Sequence, residues 1–192
     1  MPGPVCPGPE VGLEAMPKTA RRPMRAPKIH VCSLQEVNDV VAAFPNQLTI
    51  ISIRGSRDPG IARPELVKKL TELVFDDIEE PVPEAPDLIV PGREHALVIY
   101  EAWVQAKRCF EKLIIIQCHA GQRRSPTAAL GLLYLEALAQ DAATAAEVAV
   151  EKLLKTNPFS SVLTSLLTQM LCIKLPPAEA VRGAAQLKGM IP

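Results

Sequence analysis

The run Leu113-Ile-Ile-Ile-Gln-Cys118 is an apolar, β-branched stretch that stops at a cysteine, and it restricts the fold more than any other part of the chain. Consecutive isoleucines suit a strand buried on both faces, because successive side chains enter opposite layers. Such a strand calls for a sheet with helices on each side. Six positions after Cys118 comes Arg124, then Ser125, then a helix-like stretch over 126–138 that opens Pro126-Thr-Ala-Ala-Leu. Ser125 with Pro126 is a helix-start signal. Gly121 lies mid-loop, where a backbone turns sharply or approaches a ligand closely. The loop therefore follows the carboxyl end of a buried strand, the edge at which open α/β sheets bind ligands.

The residue types in this loop suit a tetrahedral oxyanion. The backbone N–H groups of residues 119–124 can line a cup, backed by the positive end of the next helix and by the guanidinium of Arg124. The same field favours the thiolate form of Cys118, a nucleophile beneath a bound phosphorus atom. Arg124 offers a planar fork for two oxygens that lysine cannot reproduce. Ser125 is placed to hydrogen-bond the departing sulfur and to cap the helix. The phosphate-binding set is thus His119, Ala120, Gly121, Gln122, Arg123 and Arg124. His119 is expected at the rim, and Arg123 is expected to point elsewhere, as a surface residue shaping substrate preference.

The segment Cys118-His-Ala-Gly-Gln-Arg-Arg124-Ser125 resembles the signature of the cysteine-dependent protein phosphatases, the tyrosine and dual-specificity group. Cys-His-Ala-Gly followed by Arg-Ser, with Phe75-Asp76-Asp77-Ile78 upstream, is most similar to a small, mostly bacterial branch of predicted protein tyrosine phosphatases. The likeness spans roughly 27–175 in layout, and the loop and the acidic segment are its specific parts. It implies an α/β fold of three layers, a central and mostly parallel sheet flanked by helices. It also implies phosphoester hydrolysis through a cysteinyl-phosphate, with no cofactor and no metal. An aspartate on a separate loop would protonate the leaving oxygen and later activate water. Asp76, Asp77 and Asp87 fit that role. Asp77 is the first choice, because it follows Leu73-Val-Phe75-Asp76 as the chain leaves a strand, where the family's acid tends to lie. The family's histidine before the cysteine is replaced here by Gln117, a neutral amide with no charge to offer a thiolate. A catalytically weak or inactive phosphate- or phosphoprotein-binding pseudophosphatase is therefore the alternative function.

Composition narrows the partners. The 192 residues carry 21 basic and 21 acidic side chains, a balance that argues against nucleic-acid or acidic-membrane binding. No apolar run reaches membrane-spanning length. A phosphorylated protein or a small phosphoester is the expected partner, and a monomer is the expected state. The five cysteines are scattered without metal-ligand spacing, which indicates a reducing, cytoplasmic setting. Cys32, Cys109 and Cys172 are expected to pack as small hydrophobes, with Cys32 also a possible disulfide partner for an oxidised Cys118.

The expected organisation is a disordered, proline-rich tail over 1–27, a phosphatase-like domain over 28–175 and a frayed tail over 176–192. Strands are expected at 28–32, 48–53, 73–75 and 113–117. Ser33-Leu-Gln-Glu36 reads as a capping box opening a helix to about Phe44. Further helices are expected at 65–71, 93–108 and 126–138, then one capped by Asp141 and ending at Lys155, and a last one over 159–172. The 54–63 loop is expected to be solvated, with Arg54 or Arg57 within reach of substrate. Ala128, Ala129 and Gly131 are expected to let the 126–138 helix pack closely on the sheet.

Overall fold

The isoleucine runs do form the middle of a sheet. The computed structural model describes residues 26–140, 144–155 and 161–191. Four parallel strands, β1 (Lys28–Ser33), β2 (Thr49–Arg54), β3 (Lys69–Val74) and β4 (Leu113–Cys118), lie in the order β1-β4-β2-β3. Central β4 pairs with β1 from Lys28↔Leu113 to Ser33↔Cys118, and with β2 from Ile50↔Ile115 to Ile53↔Cys118.

Strand alternation sends Ile114, Ile116 and Cys118 to one face and Ile115 to the other. The Ile115 face, with Cys32 and Ile50, is covered by Leu34, Val37 and Val41 of α1 (Leu34–Ala43). The capping box is present: the Glu36 N–H donates to Ser33 Oγ at 3.3 Å, and the Ser33 N–H donates to Glu36 Oε2 at 2.7 Å. The opposite face carries the larger core, built on α2 (Arg93–Arg108), α3 (Arg124–Ala139), α4 (Ala145–Leu154), α5 (Thr164–Leu171) and α6 (Pro177–Gly189). The architecture is thus helix, sheet, helices: three layers, as expected.

Several details differ from the sequence expectations. The expected frayed tail instead carries α6 over Pro177–Gly189, which buries Ala180, Gly183, Ala184 and Leu187 against the core, so the domain extends past 175. Small residues make that contact, and they carry little apolar signal. The 65–71 segment is not a helix. A 3₁₀ turn at Pro64–Leu66 leads into β3, whose polar residues reflect its edge position. A Cβ on Gly131 would meet Met170 Sδ at 2.7 Å, so its close approach is to α5 rather than to the sheet. The first 25 residues of the expected tail, Asp141 as a cap and residues 159–160 at the start of the expected last helix lie outside the described residues.

Candidate active site

β4 carries Cys118 to the carboxyl edge of the sheet, and the chain bends through 119–123 into α3. The loop is fastened to the junction of β1 and α1, where the Leu34 N–H donates to the His119 carbonyl at 3.1 Å. Gly121 crosses that junction at φ +71°, and a Cβ there would stand 2.9 Å from the Cys32 carbonyl carbon and 2.9 Å from the Ser33 nitrogen. Both the left-handed backbone and the approach to another backbone need glycine. Gly121→Ala is expected to destabilise the fold by about 1–3 kcal/mol, read from the urea midpoint; an unchanged midpoint would show that the junction yields freely.

Cys118 is 2 % exposed, and the Ser125 hydroxyl donates to its sulfur at 3.1 Å. α3 begins at Arg124 with no side-chain cap at Arg123, so the positive end of the helix is available to an anion. His119, Ala120 and Gln122 are exposed on the rim of the loop.

Arg124 is buried, and its fork is held on two sides. Nη2 donates to Asp58 Oδ2 at 2.7 Å and Nη1 to the Phe75 carbonyl at 3.3 Å. Asp58 also accepts the Gly55 N–H at 2.8 Å and has His119 Nδ1 at 3.8 Å. Burial pushes the Asp58 carboxyl up. The hydrogen bonds from Arg124 and Gly55 and the charges of Arg124 and His119 outweigh that and hold it below the ordinary aspartate range. Sequence reasoning did not single out Asp58. Its one signal is its place in the loop leaving the central strand β2, and its partner lies 66 positions away.

The three candidate acids occupy different settings. Asp76 is buried and accepts hydrogen bonds on both oxygens: Oδ1 takes the Ser56 N–H at 2.9 Å and its hydroxyl at 3.2 Å, and Oδ2 takes the Ile89 N–H at 2.7 Å. Since the Asp76 N–H also donates to the Ile89 carbonyl at 2.7 Å, this residue closes the neck of the 76–89 loop. Asp87 sits on the surface in an ion pair with Arg57 at 2.7 Å. Asp77 is exposed and lies 3.3 Å from Arg123 Nη1, at the end of the Cys118 loop. Arg123 points toward the acidic segment and joins it to the Cys118 loop.

The remaining expected residues fall outside the constellation. Arg54 pairs with Glu72 on the neighbouring strand. Gln117 shares the α1 face of the sheet with Ile115, and its Nε2 donates to Ser52 Oγ across the β2–β4 pair. Its Oε1 has no partner among the described residues. Cys32 does pack as a small hydrophobe, but Cys109 is exposed at the end of α2 and Cys172 is half-buried. Burial first, then the charges of Glu36 and Cys118, push the Cys32 thiol up to about 12. A thiol kept protonated, in the core on the opposite face of the sheet from Cys118, is a poor disulfide-forming partner.

Thr127 is a second residue that the sequence did not mark. It is buried in α3, donates through Oγ1 to the Arg123 carbonyl at 2.6 Å, and accepts the Leu163 N–H at 2.9 Å. It thereby ties the end of the Cys118 loop to the chain entering α5.

No protein-family model and no curated protein matches the sequence. Solved structures do match the fold. Human DUSP28 aligns over 84% of this chain and 96% of its own, at 15% identity and a TM-score of 0.51. The phosphatase domain of Yvh1 from Chaetomium thermophilum aligns over 76% of this chain and 89% of its own, at 16% identity and a TM-score of 0.52. The chain thus has the protein tyrosine phosphatase-like fold.

Proposed function

We propose that this chain hydrolyses phosphomonoesters through a cysteinyl-phosphate, as a protein tyrosine or dual-specificity phosphatase. The observation that carries the reading is the Ser125 hydroxyl on the Cys118 sulfur at 3.1 Å, at the foot of an uncapped helix that opens with buried Arg124.

In the first step the sulfur attacks phosphorus. The S–P bond forms, the P–O bond to the organic group breaks, and the leaving oxygen takes a proton from Asp77. Arg124 and the α3 amides stabilise the equatorial oxygens as charge shifts onto them. In the second step water attacks phosphorus, Asp77 now accepts its proton, and the sulfur leaves with its charge steadied by the Ser125 hydroxyl. Asp77 is favoured over Asp76 because both oxygens of the latter already accept hydrogen bonds from loop backbone and Ser56, and over Asp87 because the ion pair of Asp87 is with Arg57 on the surface whereas that of Asp77 is with Arg123 at the end of the Cys118 loop. The Arg123 contact keeps Asp77 beside the loop.

The test is turnover of p-nitrophenyl phosphate in EDTA, with acid-quenched protein examined for phosphate on Cys118. The expected result is metal-independent release and one labelled cysteine per chain. Asp77→Asn is expected to lower kcat on phenyl phosphate, a poor leaving group, by about 10²-fold. It should affect p-nitrophenyl phosphate far less, since that product leaves without help. Equal losses on the two substrates would exclude Asp77 as the acid.

A second reading, a phosphate- or phosphoprotein-binding module without turnover, is favoured by Gln117, whose amide serves Ser52 rather than the cysteine. Tight phosphate binding without a phosphocysteine would select it.

A further inference from the structure

Glu79 lies two residues beyond Asp77 and reaches across the molecule. Its Oε1 accepts the Thr164 N–H at 2.8 Å and its Oε2 accepts the Ser165 N–H at 2.8 Å. These are the first N–H groups of α5, donors that an α-helix leaves unsatisfied and that a carboxylate satisfies with charge assistance. The residue just before them, Leu163, donates its own N–H to Thr127 Oγ1 in α3, and Thr127 in turn binds the Arg123 carbonyl. Three consecutive amides, Leu163 to Ser165, thus grip the helix behind Cys118 on one side and the acidic loop on the other.

We infer that Glu79 is the positioning residue for Asp77, and that the start of α5 is a bracket fixing the acidic loop relative to the Cys118 loop. This rests on Asp77 being the general acid. The geometry separates two functions within one loop. Asp76 closes the neck through Ser56 and Ile89, which holds the loop together but leaves the direction of its leading edge open. Glu79 supplies the distant second anchor, and Asp77 lies between the two. Burial pushes the Glu79 carboxyl up, but the Ser165 and Thr164 N–H groups and the charge of Lys188 outweigh it and hold it below the usual glutamate range. The anchor therefore remains ionised at neutral pH. Because α6 packs on α5 and brings Lys188 to the same spot, this helical pair backs the acidic loop through Glu79.

The experiment uses the full chain with Glu79→Ala and, as the milder change, Glu79→Gln. Amide hydrogen exchange over 77–80 is expected to quicken about tenfold or more in Glu79→Ala, while residues 113–118 keep their protection. kcat on phenyl phosphate should fall about tenfold or more, within the range general acids supply, with KM unchanged. p-Nitrophenyl phosphate should be barely affected, and the Glu79→Ala effect should vanish in an Asp77→Asn background. Exchange unchanged over 77–80, or an equal loss on both substrates, would overturn the inference. If Glu79→Ala does not fold, Glu79→Gln must show the same substrate-selective loss, and its absence counts against Glu79. No turnover by the unaltered chain would instead remove the phosphatase reading, and the positioning role with it.

Discussion

Replacing Cys118 with serine is expected to lower kcat on aryl phosphates by at least about 10⁴-fold while leaving the affinity for inorganic phosphate intact. Serine is nearly isosteric, and the site is buried and already holds one hydroxyl, that of Ser125. The fold should therefore tolerate the change. The chemistry should not, because an alkoxide forms far less readily than a thiolate and leaves phosphorus far more slowly. The measurement pairs steady-state turnover with a competitive binding titration. Activity retained at a few per cent of the original would show that sulfur is not the nucleophile, whereas loss of both activity and binding would point to a collapsed loop.

Arg124→Lys is expected to reduce kcat/KM by about 10²–10³-fold, the scale seen when one transition-state donor is removed. The guanidinium has three tasks in the proposed site. It holds Asp58 through Nη2, it holds the Phe75 carbonyl through Nη1, and it must also face the phosphoryl oxygens. An ammonium has the charge but no planar fork, so it cannot keep both protein contacts and present two parallel donors. A thermal melt run alongside separates the two consequences. If Arg124→Lys melts near the parent and still loses catalysis, the fork acts on the substrate. If the activity of a well-folded Arg124→Lys equals the parent's, Arg124 is a structural residue and the oxyanion reading fails.

The parts of this molecule that were legible in the sequence are those with short-range causes. Strand β4 announced itself through residues that succeed each other, the capping box through Ser33 and Glu36 three positions apart, and the Cys118 loop through a spacing of six. Asp58 and Glu79 were illegible because each acts on a partner brought near only by the sheet and the helical layer, 66 and 85 positions away. α6 looks like a tail in the sequence because Ala180, Gly183 and Ala184 bury little surface each and make no strong periodic pattern. The 65–71 segment resembles a helix in sequence because an edge strand need be apolar on one side only, which leaves its period weak. For the proposed acid, the sequence offers only the resemblance of Asp77 to a family pattern; the physical argument, that Asp76 is consumed in closing a loop, needs the fold.

Arg124 has a resident counterion. Asp58 is ionised wherever the usual aspartate is and stays so in somewhat stronger acid, since its folded value is depressed; its attraction for Arg124 is lost only as the pH falls through that lower value. Any dianion reaching the fork must coexist with this carboxylate, which, under the proposed function, penalises reactant and released orthophosphate alike. Tight retention of product is thereby discouraged, and when phosphate departs the guanidinium is not left bare in a poorly hydrated niche. An enzyme wired in this way would exchange some ground-state affinity for ready clearance of its product.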